Sequence, residues 1–171
     1  MVCLLLLSCQ TNLENQALAS NLSAGNILSA DDDENFALER NQLNNASWFR
    51  EMYDAYEPDK NAISAIEKHR NDIKFVVFGG SWCSDTRKAL PKFYKVVEQA
   101  NVQASKIELY GVDHDKKSQE NGGKGKSRSD EFGINRVPEF IVFYKEKEVG
   151  RLNEKPSKSL EEDLAKMLNK Q

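Results

Sequence analysis

Cysteine, histidine and proline are scarce in this 171-residue chain, with three, two and four copies. Each shortage narrows what the protein can be. Two histidines and no Cys-x-x-Cys pair give no zinc signature, because a structural zinc site needs four ligands at characteristic spacing. No metal or other cofactor is expected. No apolar run approaches the roughly 20 residues that a membrane-crossing helix requires. There is also no excess of positive charge: 24 Lys and Arg against 27 Asp and Glu leave a net charge of -3, with the two signs intermixed. A broad basic surface for phosphates is therefore absent, and nucleic acid is not an expected partner. The segment "GGKGKS" lacks what a phosphate-binding loop needs, since G-x-x-x-x-G-K-[ST] would require glycine at position 120, which is Glu120.

The length suits one domain with a hydrophobic core, and a monomer is expected. The chain opens on "MVCLLLLSC", in which Leu6-Leu7-Ser8-Cys9 has the order of a bacterial lipobox, although the run is short and lacks a basic start. On this reading residues 1–9 are a lipoprotein-type signal. Cys3 leaves with it, and Cys9 becomes an acylated anchor in the cell envelope. Gln10 follows where an aspartate would favour inner-membrane retention, so an outer-membrane anchor is expected, with the domain in the periplasm or at the cell surface. Only Cys83 then remains in the folded part, and no internal disulfide can form. A single odd thiol in an oxidising compartment is a candidate reactive cysteine.

Residues 10–44 are rich in Asn, Gln, Ser and acid, including "DDDEN", and read as a flexible tether with at most a weak helix near Phe36–Leu43. The domain is expected over 45–171, beginning with a helical extension at 45–70. Trp48, Phe49, Met52, Tyr53 and Tyr56 recur at helical spacing up to Pro58, and Asp59 can cap a second helix carrying Ile63 and Ile66. "IKFVVFG" is a short buried strand. A helix follows with Leu90, Phe93, Tyr94 and Val97 on one face and Pro91 as a kink. "KIELYGVDHD" is a second strand, and residues 116–131 lack periodicity and read as a mobile loop. "VPEFIVFY" and "KEVGRL" predict a hairpin, and Ser159 with Glu162 forms a capping box for a last helix. The first two strands, joined through a helix, should run parallel, and the last two antiparallel. The expected fold is α/β: a mixed four-stranded sheet flanked by helices.

Cys83 stands just after a buried strand and at the start of a helix. Backbone N–H groups and the positive end of the helix dipole aimed at a sulfur favour its nucleophilic thiolate form. Thr86, one turn on, could donate a hydrogen bond to it, while Asp85 opposes ionisation and Arg87 and Lys88 offset Asp85. His69 reads as a helix-end residue. His114, in "VDHD", should emerge at the carboxyl edge of the sheet, either near Cys83 or as a loop histidine between two solvated aspartates.

The combination of strand, "GGSWCSDTRKALP", helix and, about fifty residues later, "INRVPEF" resembles the thioredoxin superfamily over roughly residues 70–170. It is also similar to bacterial thioredoxin-like lipoproteins of the W-C-x-D-[ST] type, which carry a helical extension before the fold. The resemblance implies a thioredoxin-like fold, with Trp82 and Cys83 in the active motif and Pro138, preceded by Val137, as a cis-proline facing the cysteine. It also exposes three departures. Thr86 replaces the resolving cysteine, Val77 stands where a buried acid manages protons, and the lysine paired with that acid aligns with an apolar residue near Leu109.

Two functions fit. In one, a monothiol oxidoreductase attacks a protein or small-molecule disulfide through Cys83, with Thr86 assisting and Trp82, Val137 and Pro138 forming the substrate groove. In the other, the groove binds or chaperones and Cys83 has no redox role. Arg136 either receives a substrate carboxylate or is a solvated loop residue.

Overall fold

The computed structural model describes residue 38 and residues 40–118, 127–153 and 156–171. The signal-like segment with Cys9, most of the expected tether and the centre of the 116–131 loop lie outside the described residues.

Packing starts earlier than the sequence pattern predicts. Helix α1, Arg40–Leu43, precedes the expected boundary at residue 45, and Leu38 and Leu43 are 4% and 2% exposed within the main core. Two isolated leucines in a polar stretch make no periodic face, so the sequence pattern hides a segment that buries them in the core.

Helix α2 is Ser47–Ala55, and α3, Lys60–Lys68, begins where the Asp59 carboxylate accepts from Ala62 N at 2.8 Å. Strand β1, Ile73–Gly79, leads into helix α4, Ser84–Gln99, which runs through the buried Pro91. Strand β2, Ile107–Gly111, pairs parallel with β1, and β3, Glu139–Tyr144, pairs antiparallel with its other edge. Strand β4, Lys147–Asn153, joins β3 through Lys145 and Glu146, both at positive φ as a tight type I′ hairpin demands. The sheet order is β2-β1-β3-β4. The loop flanks are more ordered than their sequence suggests: helix α5, Arg128–Phe132, is capped by Ser127 and ends on Gly133 in the left-handed conformation. Ser118 and Ser129 tie the two flanks together, each backbone N–H donating to the other's hydroxyl at 3.0 Å.

Alternation along the strands sorts side chains to two faces. Phe75 and Val77 meet α2, α3, α4 and the last helix, α6 (Leu160–Leu168), in the larger core. Val76, Phe78 and Ile141 meet Phe132, Ile134 and Val137 in a smaller one that also reaches Trp82 and Cys83. Thus all the long helices share one face, and the second core ends at Cys83.

Glu161 locks the N-terminal helices to α6. Its carboxylate, 3% exposed, accepts from the Tyr56 hydroxyl at 2.7 Å and from Asp59 N at 3.1 Å. Burial pushes this carboxyl up, but the hydrogen bonds from Tyr56 and the backbone outweigh burial and hold it below its ordinary 4.5. Glu161→Gln should lower unfolding stability near neutral pH by about 1–3 kcal/mol, as expected for hydrogen bonds to a charged group. The sign of the pH effect follows from linkage: a folded-state value below the unfolded one gives stability that is complete above pH 4.5 and lost as pH falls toward the folded value. Urea midpoints for both proteins, measured from pH 7 down to 3, should therefore converge at the acid end.

Candidate functional site

The turn between β1 and α4 is shaped by two glycines. A Cβ on Gly79 would come within 2.8 Å of Thr86 Cγ2, and one on Gly80 would overlap the Trp82 indole. Bare backbone here lets the turn close tightly and lets Trp82 lie flat over it. The indole Nε1 donates to Val112 O at 2.9 Å, just beyond β2, and the imidazole of His114 stacks on the indole with ring centroids 4.2 Å apart. His114 thus sits against Trp82, exposed between Asp113 and Asp115. Lys116 Nζ lies 5.6 Å from the same ring.

Cys83 is the N-cap residue of α4 and is half-buried. Its backbone N–H donates to Gly80 O at 3.0 Å and its carbonyl accepts from Arg87 N at 3.0 Å, so turn and helix hold the Cα from both sides. The thiol Sγ–H donates to Val137 O at 3.3 Å. Val137 and Pro138 are buried, and the peptide bond between them is cis. Cys83, Trp82 and Val137 belong to one apolar cluster although 54 residues separate the cysteine from the valine.

Two sequence-derived candidates lie apart from that cluster. Thr86 is fully buried, and its hydroxyl accepts from Gly80 N at 3.4 Å. The expected hydrogen bond from Thr86 to the Cys83 sulfur is thus not among those formed by the described residues. The β1–α4 turn folds back over the first helical turn, so the side chain turns its oxygen toward Gly80 N. Arg136 is exposed, one residue before Val137. Among the described residues no group of three or more His, Cys, Asp or Glu could hold a metal ion, and no helix is long and apolar enough to cross a membrane.

A third group was not singled out from the sequence. Glu139 follows Pro138 directly and is 6% exposed. Burial pushes its carboxyl above the ordinary glutamate value, against the opposing pull of Arg151. Arg151 Nη1 lies 3.3 Å from Glu139 Oε1, while its Nε and Nη2 donate to the two oxygens of Glu148 at 2.7 and 3.0 Å. The same Nη1 donates to Phe132 O at 2.8 Å. A charged residue opening the otherwise apolar "EFIVFY" was the available signal.

The family described as Thioredoxin matches residues 31–162, a span that holds the strand–cysteine–helix turn, the cis-proline opposite it and all four strands. The chain belongs to the thioredoxin family. The match begins ahead of Leu38, in keeping with a packed unit that includes α1. Among solved structures, a thioredoxin of Fasciola hepatica is 20% identical, with 61% of this chain and 86% of that one covered and a TM-score of 0.39. The reduced thioredoxin pre-protein of Schistosoma mansoni is 22% identical over 67% and 93%, with a TM-score of 0.39. A protein of unknown function from Pseudomonas aeruginosa is 16% identical over 71% and 78%, with a TM-score of 0.47. No curated protein matches significantly.

Val77 is fully buried and stands directly opposite Leu109 in the β1–β2 ladder. The residue that the resemblance aligned with a buried acid is thus one of two facing aliphatic side chains.

Proposed function

We propose that this thioredoxin-family protein carries out thiol–disulfide exchange through Cys83 alone. The observation that carries the reading is the contact of Cys83 Sγ with Val137 O, because it sets the sulfur beside a backbone edge that an extended substrate can use. The Cys83 thiolate attacks one sulfur of a protein or glutathione disulfide. That S–S bond breaks, a new one forms to Cys83, and the displaced sulfur leaves as a thiolate that takes a proton from water. A second thiol, from outside or from the substrate, then attacks the mixed disulfide, takes over the bond and returns Cys83 to its thiolate. Val137 offers backbone to pair the substrate as an added strand, Trp82 and Pro138 flank the sulfur, and Arg136 meets a substrate carboxylate. Thr86 supports the turn beneath Cys83.

We further read the protein as a bacterial lipoprotein, anchored by acylated Cys9 in the outer membrane and working as a monomer without nucleic acid. A Cys9→Ser chain released from the membrane fraction supports the anchor, and unchanged fractionation with no lipid on the mature N-terminus removes it.

The exchange reading is tested on the native thiol. Iodoacetamide should modify Cys83 faster than free glutathione at the same pH, and incubation with glutathione disulfide should add one glutathionyl group detectable by mass spectrometry. Alkylation no faster than free glutathione, with no adduct, overturns it. The second reading, a binding module centred on Pro138, then stands. It is favoured by the aliphatic pair Val77 and Leu109, which leaves the site without the buried proton handler of a dithiol cycle.

A further inference from the structure

Residues 133–138 form the loop that brings Val137 to Cys83, and its two ends meet at one side chain. Phe132, the last residue of α5, immediately precedes the loop, and Glu139, the first residue of β3, immediately follows it. Arg151 Nη1 donates to Phe132 O at 2.8 Å and lies 3.3 Å from Glu139 Oε1. Arg151 stands opposite Ile141 in the β3–β4 ladder, so its side chain leaves the sheet on the face that holds Glu139, Phe78 and the second core. Glu148, on the same strand, takes the remaining guanidinium edge in a two-point fork at 2.7 and 3.0 Å and fixes the plane of the group. A planar fork held on one side and donating on the other is a rigid brace, which a lysine ammonium cannot reproduce.

We propose that Arg151 is the positioning residue of the Cys83 site, clamping both ends of the 133–138 loop so that Val137 O stays in register with the sulfur. The proposal rests on the exchange reading for its chemical consequence, but the clamp itself is a physical claim about the loop. Glu139 is the buried counter-charge: among the described residues Arg151 is its hydrogen-bonded cation and Arg136 acts on it only as a weaker electrostatic influence, so without Arg151 the strand start must rearrange or the carboxylate take up a proton. Iodoacetamide needs only the sulfur, whereas a peptide disulfide also needs the Val137 backbone. A loose loop should therefore slow the two reactions unequally.

The test uses the full chain with Arg151→Met and, in case that variant folds poorly, Arg151→Lys, which keeps the charge and loses the fork. Amide hydrogen exchange over residues 133–137 should quicken by about tenfold or more in both variants while β1 stays protected, as expected for local rather than global opening. Exchange with a disulfide-bonded peptide should fall about tenfold, in line with the cost of a small misplacement at a reacting centre, and iodoacetamide alkylation should change by less than about twofold. Unchanged protection over 133–137 overturns the clamp, as does an equal fall in both rates or full restoration by lysine. A wild-type protein that reacts with no disulfide overturns the exchange reading instead, and the hydrogen-exchange result still decides the clamp.

Discussion

Thr86→Cys should shorten the life of the Cys83 mixed disulfide by roughly tenfold or more, because an intramolecular thiol replaces a bimolecular encounter. Position 86 lies three residues along α4 from the N-cap cysteine, so the two residues stand on one face of the helix. Threonine uses two of its three staggered Cβ positions, with Oγ1 toward Gly80 N and Cγ2 against the backbone of Gly79. A cysteine has a single Sγ and can take the position left to hydrogen. Its thiolate attacks the Cys83 sulfur, the substrate sulfur leaves as a thiolate, and an internal disulfide remains. Quenching the reaction of each protein with a peptide disulfide at timed intervals, and following the adduct mass, measures the change. An adduct equally long-lived in both proteins would show that the second thiol does not reach the first. A shortened adduct would make Thr86 the reason that the wild-type mixed disulfide persists until an outside thiol arrives.

The sequence of strands and long helices along the chain, the parallel β1–β2 and antiparallel β3–β4 pairings and both helix caps at Asp59 and Ser159 were legible because each depends on local periodicity, a short connection or one capping side chain. The β1–β3 pairing that joins the two pairs was not. The meeting of Cys83 with Val137 was legible only through the family resemblance, since nothing local links residues 54 positions apart. What escaped the sequence depends on contacts of single side chains. Thr86 turns its hydroxyl to Gly80 N because the turn backbone passes beneath it, a fact of the chain path and not of the residue type. Glu139 and Arg151 look like ordinary charges on strands, yet one is buried and the other donates to the chain on both sides of the cis-proline loop. Helix α5 is five residues long, too short to show a period, and the Ser118–Ser129 exchange that roots it is made across ten intervening residues.

The same limit bears on where the domain begins, and there the expected effect on stability is largest. Leu38 and Leu43 lie in the main core at 4% and 2% exposure, and Leu38 Cδ1 would be 3.2 Å from a Cβ on Gly79, so this segment packs against the far side of the Cys83 turn. Arg40 adds an ion pair to Glu98 at 2.7 Å and lies 4.6 Å from the Tyr94 ring centroid and 5.0 Å from that of Phe49. The ion pair is exposed and contributes little, and stacking on the rings contributes about 0.5–1 kcal/mol. Burial of the two leucines dominates, at roughly 3–6 kcal/mol together. A chain beginning at Asn45, compared with one beginning at Leu38 so that only residues 38–44 differ, should lose that amount. The melting temperature should fall by about 6–24 °C, taking roughly 2–4 °C per kcal/mol. Leu43→Ala in the longer chain should account for about half of the loss, because its side chain is the deeper of the two. Equal melting temperatures for the two chains would mean that α1 rests on the core without stabilising it, and the domain would then begin at residue 45. A full loss should also raise the alkylation rate of Cys83, since Gly79, at the start of its turn, would lose the leucine packed beside it.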